Sequence, residues 1–203
     1  MRSAPARRVT WGELLSHPEV KERSVIGGRF GLMAFHGGLE PGTAEIAEAA
    51  AVASGASLYV VEQPAALRWH VPSHAITPER SALLRGWLAH VDVVIALHGY
   101  GRLHQPRRIL LGGRNRMLAA RLATCLGNRL PDLSVVTDMD DIPRELRGLH
   151  RDNPVNRPPS SGVQVELPPS ARDRRLDPRA PDQVTEALAE VIAQYPKATP
   201  HLP

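Results

Sequence analysis

The chain has 203 residues, 42% of them hydrophobic and 23% charged, with a formal charge of +4 and one cysteine, Cys125. That length suffices for a single sizeable core, the lone cysteine excludes an internal disulfide and a cysteine-based zinc knuckle, and no apolar run approaches the about 18 residues of a membrane span. The cations are almost all scattered arginines (the only lysines are Lys21 and Lys197) and aromatic content is 4%, so a nucleic-acid partner is not expected.

Residues 1–9 read as a loose basic tail with Arg2, Arg7 and Arg8, and no apolar segment of a secretory signal follows. A cytoplasmic protein, or one released by lysis, is the expectation. Thr10-Trp11-Gly12-Glu13 has the form of a capping box opening a short helix through His17, which Pro18 ends. A turn around Gly27-Gly28 leads into an apolar strand that stops at His36. Gly42 to Ser54 has helical spacing, with Thr43 as N-cap and Gly55 as stop. Ser57 to Val61 is rich in strand formers, and residues 62–77 are irregular.

Pro78 opens a helix to about His90. Val91 to His98 is a second strand ending in histidine and glycine, and a polar loop from Gly99 to Arg107 follows. Arg108 to Leu111 is a strand closed by Gly112-Gly113, and Asn115 to Leu126 a helix ended by Gly127. Leu133 to Val136 reads as a strand, Pro143 to Leu149 as a short helix, and Gly162 to Leu167 as a strand stopped by Pro168-Pro169. Pro181 to Tyr195 is the last helix, and 196–203 a tail. Strands alternating with helices predict one domain, 10–195, built as a three-layer α/β/α sandwich around a central, mainly parallel sheet. No GxGxxG, P-loop or GxSxG pattern occurs, which leaves nucleotide folds and serine-hydrolase elbows without support.

Two apolar runs therefore stop at a histidine followed by glycine, His36-Gly37 and His98-Gly99. Ligands of open α/β sheets sit at the carboxyl ends of strands. His36, Glu40 in the loop that follows, and His98 offer a zinc ion three ligands with a fourth position open, the arrangement of a catalytic rather than a structural site. Glu45 is the competing carboxylate, but in the first helical turn it should point away. His70, His74 and His104 lie in loops and are weaker ligand candidates. Glu166 sits on an otherwise apolar strand, where an unpaired buried carboxylate is costly, and is the candidate base.

At these residues the sequence resembles the poly-γ-glutamate hydrolases of phages and bacteria, zinc peptidases related to the carboxypeptidases. The resemblance rests on His36-Gly37-Gly38-Leu39-Glu40-Pro41-Gly42-Thr43 with Glu45-Ile46-Ala47, on His98-Gly99 and Gly112-Gly113, and on Asn156-Arg157 followed by Gly162-Val163-Gln164-Val165-Glu166. The first loop is His-x3-Glu, one residue shorter than the usual family pattern. The resemblance implies one zinc ion on His36, Glu40 and His98, Glu166 as catalytic carboxylate, and hydrolysis of γ-glutamyl or related acidic amide linkages, small or polymeric. An acidic substrate needs a cation. Arg157 beside Asn156 is the first candidate, because a guanidinium fork matches a carboxylate, and Arg114 with Asn115 the second. Two rival readings use the same residues: a deacylase or amidase of small N-acyl compounds or aminoacyl-tRNA, and a non-catalytic binding module on the same fold.

Overall fold

Runs such as Val93 to Leu97, apolar without alternation, make strands buried on both faces, as a parallel sheet between two helical layers requires. The computed structural model describes residues 6–101 and 107–195, so His104 and the expected tail from 196 lie outside the described residues. The strands are β1 (Arg7–Arg8), β2 (Lys21–Val25), β3 (Gly28–Gly37), β4 (Ala56–Glu62), β5 (Trp69–His70), β6 (Val93–Gly99), β7 (Arg108–Leu111), β8 (Ser134–Val136) and β9 (Gly162–Leu167). The α-helices are α1 (Trp11–Leu15), α2 (Thr43–Ser54), α3 (Ala82–His90), α4 (Arg116–Arg129), α5 (Pro169–Arg172) and α6 (Ala180–Gln194).

Seven strands form the central sheet in the order β2-β4-β3-β6-β9-β7-β8. β4, β3, β6 and β9 run parallel to one another, while β2 against β4 and β7 against β9 are antiparallel. The carboxyl ends of β3, β6 and β9, three neighbours at the middle of the sheet, thus open on one edge. One face carries Leu32, Ala34, Ile95, Leu97, Val163 and Val165 under α2, α4 and α6. The other carries Met33, Phe35, Val94 and Ala96 under α1 and α3. The sheet is mainly parallel and the layers number three, as the alternation of elements predicts.

Several boundaries differ for local reasons. The Thr10–Glu13 capping box forms in both directions, with Glu13 N–H on Thr10 Oγ1 at 3.2 Å and Thr10 N–H on Glu13 Oε2 at 2.7 Å, but α1 stops at Leu15. The N-cap of α2 is Gly42 in a left-handed conformation (φ 91°), while Thr43 Oγ1 donates to the Glu40 carbonyl at 2.8 Å. Pro78–Arg80 is a 3₁₀ turn, after which Ser81 caps α3 by accepting Leu84 N–H at 2.9 Å. Gly127 does not end α4, which runs on to Arg129 just short of Pro131. Pro143 to Leu149 holds a 3₁₀ turn at Arg144–Leu146 and no α-helix. Within the expected basic tail, Arg7–Arg8 pairs in parallel with Trp69–His70 inside the stretch expected to be irregular.

Candidate metal centre

Side chains alternate between the faces of a strand. His98 follows Val94 and Ala96 onto the α1/α3 face, and Glu166 lies on that face because Val163, Val165 and Leu167 take the other. The same rule would send His36 to the opposite side, together with Ala34. A bulge prevents this. Between the pairs Ala34–Val60 and Gly37–Glu62, β3 advances three residues while β4 advances two. The extra residue turns both Phe35 and His36 toward the α1/α3 face, with ring centroids 5.8 Å from Phe35 to His98 and 5.1 Å from His36 to His98.

The loop after β3 then returns Glu40 between the two imidazoles. His36 Nδ1 lies 3.0 Å from Glu40 Oε1, and His98 Nδ1 lies 3.6 Å from Glu40 Oε2. One donor atom from each of His36, Glu40 and His98 can be chosen so that all fall within 4.8 Å of one another. Donors about 2.0–2.1 Å from a tetrahedral zinc ion stand about 3.3 Å apart, and the two observed contacts bracket that separation. His36 Nε2 is 2.9 Å from the Val71 carbonyl, which can only accept, so Nε2 carries a proton and Nδ1 is the nitrogen that faces Glu40, as a donor when the ring is charged and as a potential metal ligand when it is neutral. Glu40 Oε2 also accepts the Gly99 N–H at 2.8 Å. The donor set and its spacing fit a zinc ion, and the shortened His-x3-Glu loop still brings the three side chains together. Glu45, as expected, is exposed and points elsewhere.

The electrostatics belong to a site that attracts cations. Burial alone would lower the affinity of His36 for a proton, yet the Glu40 carboxylate outweighs it and raises the pKa. Burial alone would raise Glu40, and the two imidazoles more than reverse it, holding the carboxyl well below the usual range. Glu166 behaves oppositely. Burial pushes it up to about 7 with Glu40 adding, against the pull of His98, a hydrogen bond from Gln164, and His36. The Gln164 Nε2–H donates to Glu166 Oε1 at 2.8 Å and to the Leu146 carbonyl at 3.2 Å, while Gln164 Oε1 accepts Asn153 Nδ2–H at 2.8 Å. Asn153 Oδ1 in turn accepts Val155 N–H at 3.2 Å, so a backbone amide fixes the direction of the whole relay.

Of the expected substrate groups beside this relay, the two arginines are exposed, Asn115 is partly buried and Asn156 is buried. Arg114 and Arg157 are exposed, their Nε–H groups donating to the carbonyls of Leu149 at 3.2 Å and Asp152 at 3.4 Å. Asn156 Oδ1 accepts Arg114 N–H, and its amide donates to the Gly148 and His150 carbonyls. Asn115 caps α4 by accepting Leu118 N–H at 2.9 Å.

Two neighbours complete the surroundings: His70, expected in a loop as a weaker ligand candidate but found on a short strand, and Arg172, which the sequence did not single out. The ring of half-buried His70 lies 4.9 Å from that of His36, brought there by β5. Burial first, then repulsion by His36, lowers its pKa to about 4. Arg172 joins the three strand ends that carry the site. It donates to the Pro41 carbonyl at 2.6 Å and the Leu167 carbonyl at 3.3 Å, and it lies so close over Gly99 that a Cβ there would stand 2.6 Å from its Nε. In the sequence it opens the run Arg172-Asp173-Arg174-Arg175, which reads as solvated surface.

The sequence matches the model of the family described as poly-gamma-glutamate hydrolase over residues 12–198. None of the curated proteins matches it. Among solved structures, the fold is similar to that of YNDL in a zinc-free form, at 23% identity and a TM-score of 0.69 over 87% of this chain and 90% of the other. It is also similar to a bacteriophage poly-gamma-glutamate hydrolase, at 21% identity and a TM-score of 0.65 over 87% and 89% of the two chains. A metallo-carboxypeptidase from Burkholderia cenocepacia shares the fold more distantly, with 10% identity and a TM-score of 0.51 over 89% of this chain and 66% of its own. At these identities the likeness is one of fold, whereas the family model spans nearly the whole chain: the protein belongs to the poly-gamma-glutamate hydrolase family.

Proposed function

We propose that the chain is a zinc-dependent amide hydrolase acting on γ-glutamyl or related acidic acyl-amino-acid linkages, with His36, Glu40 and His98 as zinc ligands and Glu166 as the catalytic carboxylate. The observation that carries this reading is the meeting of two strand-end imidazoles on one ionised carboxylate, 3.0 and 3.6 Å from it, with a second, protonatable carboxyl on the adjoining strand. A bound zinc ion supplies a Lewis acid that polarises the scissile carbonyl and makes water a nucleophile near neutral pH.

The chain's own groups supply the rest. Glu166 takes the proton of the attacking water and returns it to the departing amine, a role worth about 10²–10⁴-fold. Burial raises its pKa to about 7 in the metal-free protein, and a bound zinc ion would lower it again toward the ionised form that a base requires. Gln164 holds the carboxylate by one oxygen, and the other is left to face the reacting atoms. Glu40 remains ionised and keeps the ligand set anionic. Arg157 and Arg114 are exposed and are the guanidinium groups this reading assigns to substrate carboxylates. Asn156 and Asn115 act behind them, fixing the backbone on which those arginines sit.

Poly-γ-glutamate and a panel of small N-acyl amino acids are the substrates to compare. Release of glutamate oligomers in a zinc-dependent manner supports the reading. Turnover confined to the small N-acyl compounds would move the specificity to the deacylase class while leaving the chemistry intact.

A further inference from the structure

His70 has no part in the chemistry described so far, yet the segment that carries it is fixed from several sides. Buried Gln63 clamps the backbone before it, its Nε2–H donating to the Trp69 carbonyl at 2.7 Å and its Oε1 accepting Trp69 N–H at 2.8 Å. From the first strand, Arg7 N–H donates to the Arg68 carbonyl at 2.8 Å and Val9 N–H to the His70 carbonyl at 3.3 Å. The Trp69 ring meets His17 edge-on, with centroids 5.1 Å apart, and the Arg7 guanidinium at 5.6 Å. Arg68 stands at φ 52°, a left-handed conformation that a non-glycine residue keeps only where its surroundings impose it. Val71, fully buried, ties the other end to His36 Nε2. Among the described residues, however, no hydrogen bond occupies either ring nitrogen of His70. The ring therefore has an N–H to give in either tautomer and in either charge state.

Steps of 4.9 and 5.1 Å between ring centroids lead from His70 to His36 to His98, and Glu166 is paired with His98 on the next strand. His70 and Glu166 thus flank the candidate ligands. If Glu166 serves both the attacking water and the departing amine, those two groups lie at its end of the site. The scissile carbonyl oxygen, on the same carbon, then turns toward the other end, where His70 stands. We propose, on the strength of the amide-hydrolase reading above, that His70 is a further catalytic residue whose ring N–H donates to the scissile carbonyl oxygen. As the new C–O bond forms, the carbonyl π pair moves onto that oxygen, and it returns when the C–N bond breaks. The water's proton passes through Glu166 to the amine, and His70 gives up none. Its hydrogen bond strengthens only while the oxygen carries the extra charge, which is how a donor speeds a reaction rather than merely binding substrate. Gln63 and β1 are its positioning elements.

The test compares zinc-loaded wild type, His70→Ala and His70→Gln by metal analysis, by steady-state cleavage of a γ-glutamyl peptide, and by calorimetric binding of a γ-glutamyl phosphinate. The phosphinate is tetrahedral and anionic where the amide is planar and neutral, so it reads the donor without turnover. The bonds that hold the segment run through its backbone, so both variants should keep their zinc, which also shows that they fold. His70→Ala is expected to lower kcat by about 10²–10³-fold with KM little changed, and to weaken phosphinate binding by a similar factor. His70→Gln, which restores a side-chain N–H, should recover part of both. Phosphinate affinity unchanged in His70→Ala, a loss expressed equally in KM, or zinc lost along with the ring overturns the proposal. A zinc-loaded wild type that neither cleaves the peptide nor binds the phosphinate overturns the amide-hydrolase reading with it, whereas an active wild type matched by His70→Ala overturns the role of His70 alone.

Discussion

His98 and Glu166 stand directly opposite each other on the parallel strands β6 and β9. Neighbouring strands are about 4.8 Å apart, and both side chains face the α1/α3 layer, so a candidate zinc ligand and the candidate base are held one strand spacing apart by the sheet itself. A relationship set by backbone register is insensitive to loop motion, and it separates binding from catalysis. Glu166→Gln keeps the shape and the Gln164 contact but cannot take a proton. The expected result is turnover reduced by about 10²–10⁴-fold with zinc content unchanged, measured as product release beside metal analysis on the same preparation.

The same substitution should stabilise the metal-free protein at neutral and alkaline pH. Glu166 titrates near 4.5 in an open chain and at about 7 when folded, chiefly because it is buried. Below about pH 4.5 the group is protonated in both states and costs nothing. Through the window up to about pH 7, ionisation favours the unfolded chain, and above it the cost levels at about 3 kcal/mol. Thermal melts of metal-free wild type and Glu166→Gln should therefore diverge between pH 4.5 and 7.5, the variant melting higher at the upper end. Parallel melts across that range would mean that Glu166 is not kept from water.

Gln164 tunes the base. Its hydrogen bond favours the ionised form of Glu166, so Gln164→Leu should raise that pKa. The acidic limb of the kcat/KM profile is expected to move to higher pH, with activity recovering at alkaline pH. A uniform loss at all pH values would point instead to misplacement of the carboxyl group.

Arg172 is expected to act on the metal through the backbone. It bonds to the residue after Glu40 and the residue after Glu166, and it covers the residue after His98. Arg172→Ala should weaken zinc binding by about 10–100-fold without removing a ligand. Gly99→Ala drives a methyl group into the guanidinium and should cost about 1–3 kcal/mol of stability, read by chemical denaturation.

The strands and their order of chemistry were legible because each buried run ends in punctuation: Phe35-His36-Gly37, Leu97-His98-Gly99 and Leu167-Pro168. Glu166 stood out because a charge among Val163, Val165 and Leu167 has no place without a task. What placed His36 was not legible. Strict alternation assigns it to the face of Ala34, and the bulge that overrides this depends on the register of β3 against β4, a non-local property. Arg172 was hidden for a similar reason, since its role follows from which strand ends adjoin, and His70 ranked low as a loop residue because its pairing on β5 is equally non-local. Helix ends misled where one residue type serves two states. Gly127 lies in α4 with open space around it and so ends nothing, while Gly42, in the left-handed region, begins α2.

The central claim is one zinc ion on His36, Glu40 and His98, and metal analysis of protein purified without chelator measures it most directly. About one zinc per chain is expected at that centre, lost in His98→Ala and in Glu40→Ala and retained in Glu166→Gln. Wild-type protein with substantially less than one equivalent after zinc reconstitution, or a His98→Ala variant that still holds the full amount at that centre, would contradict it.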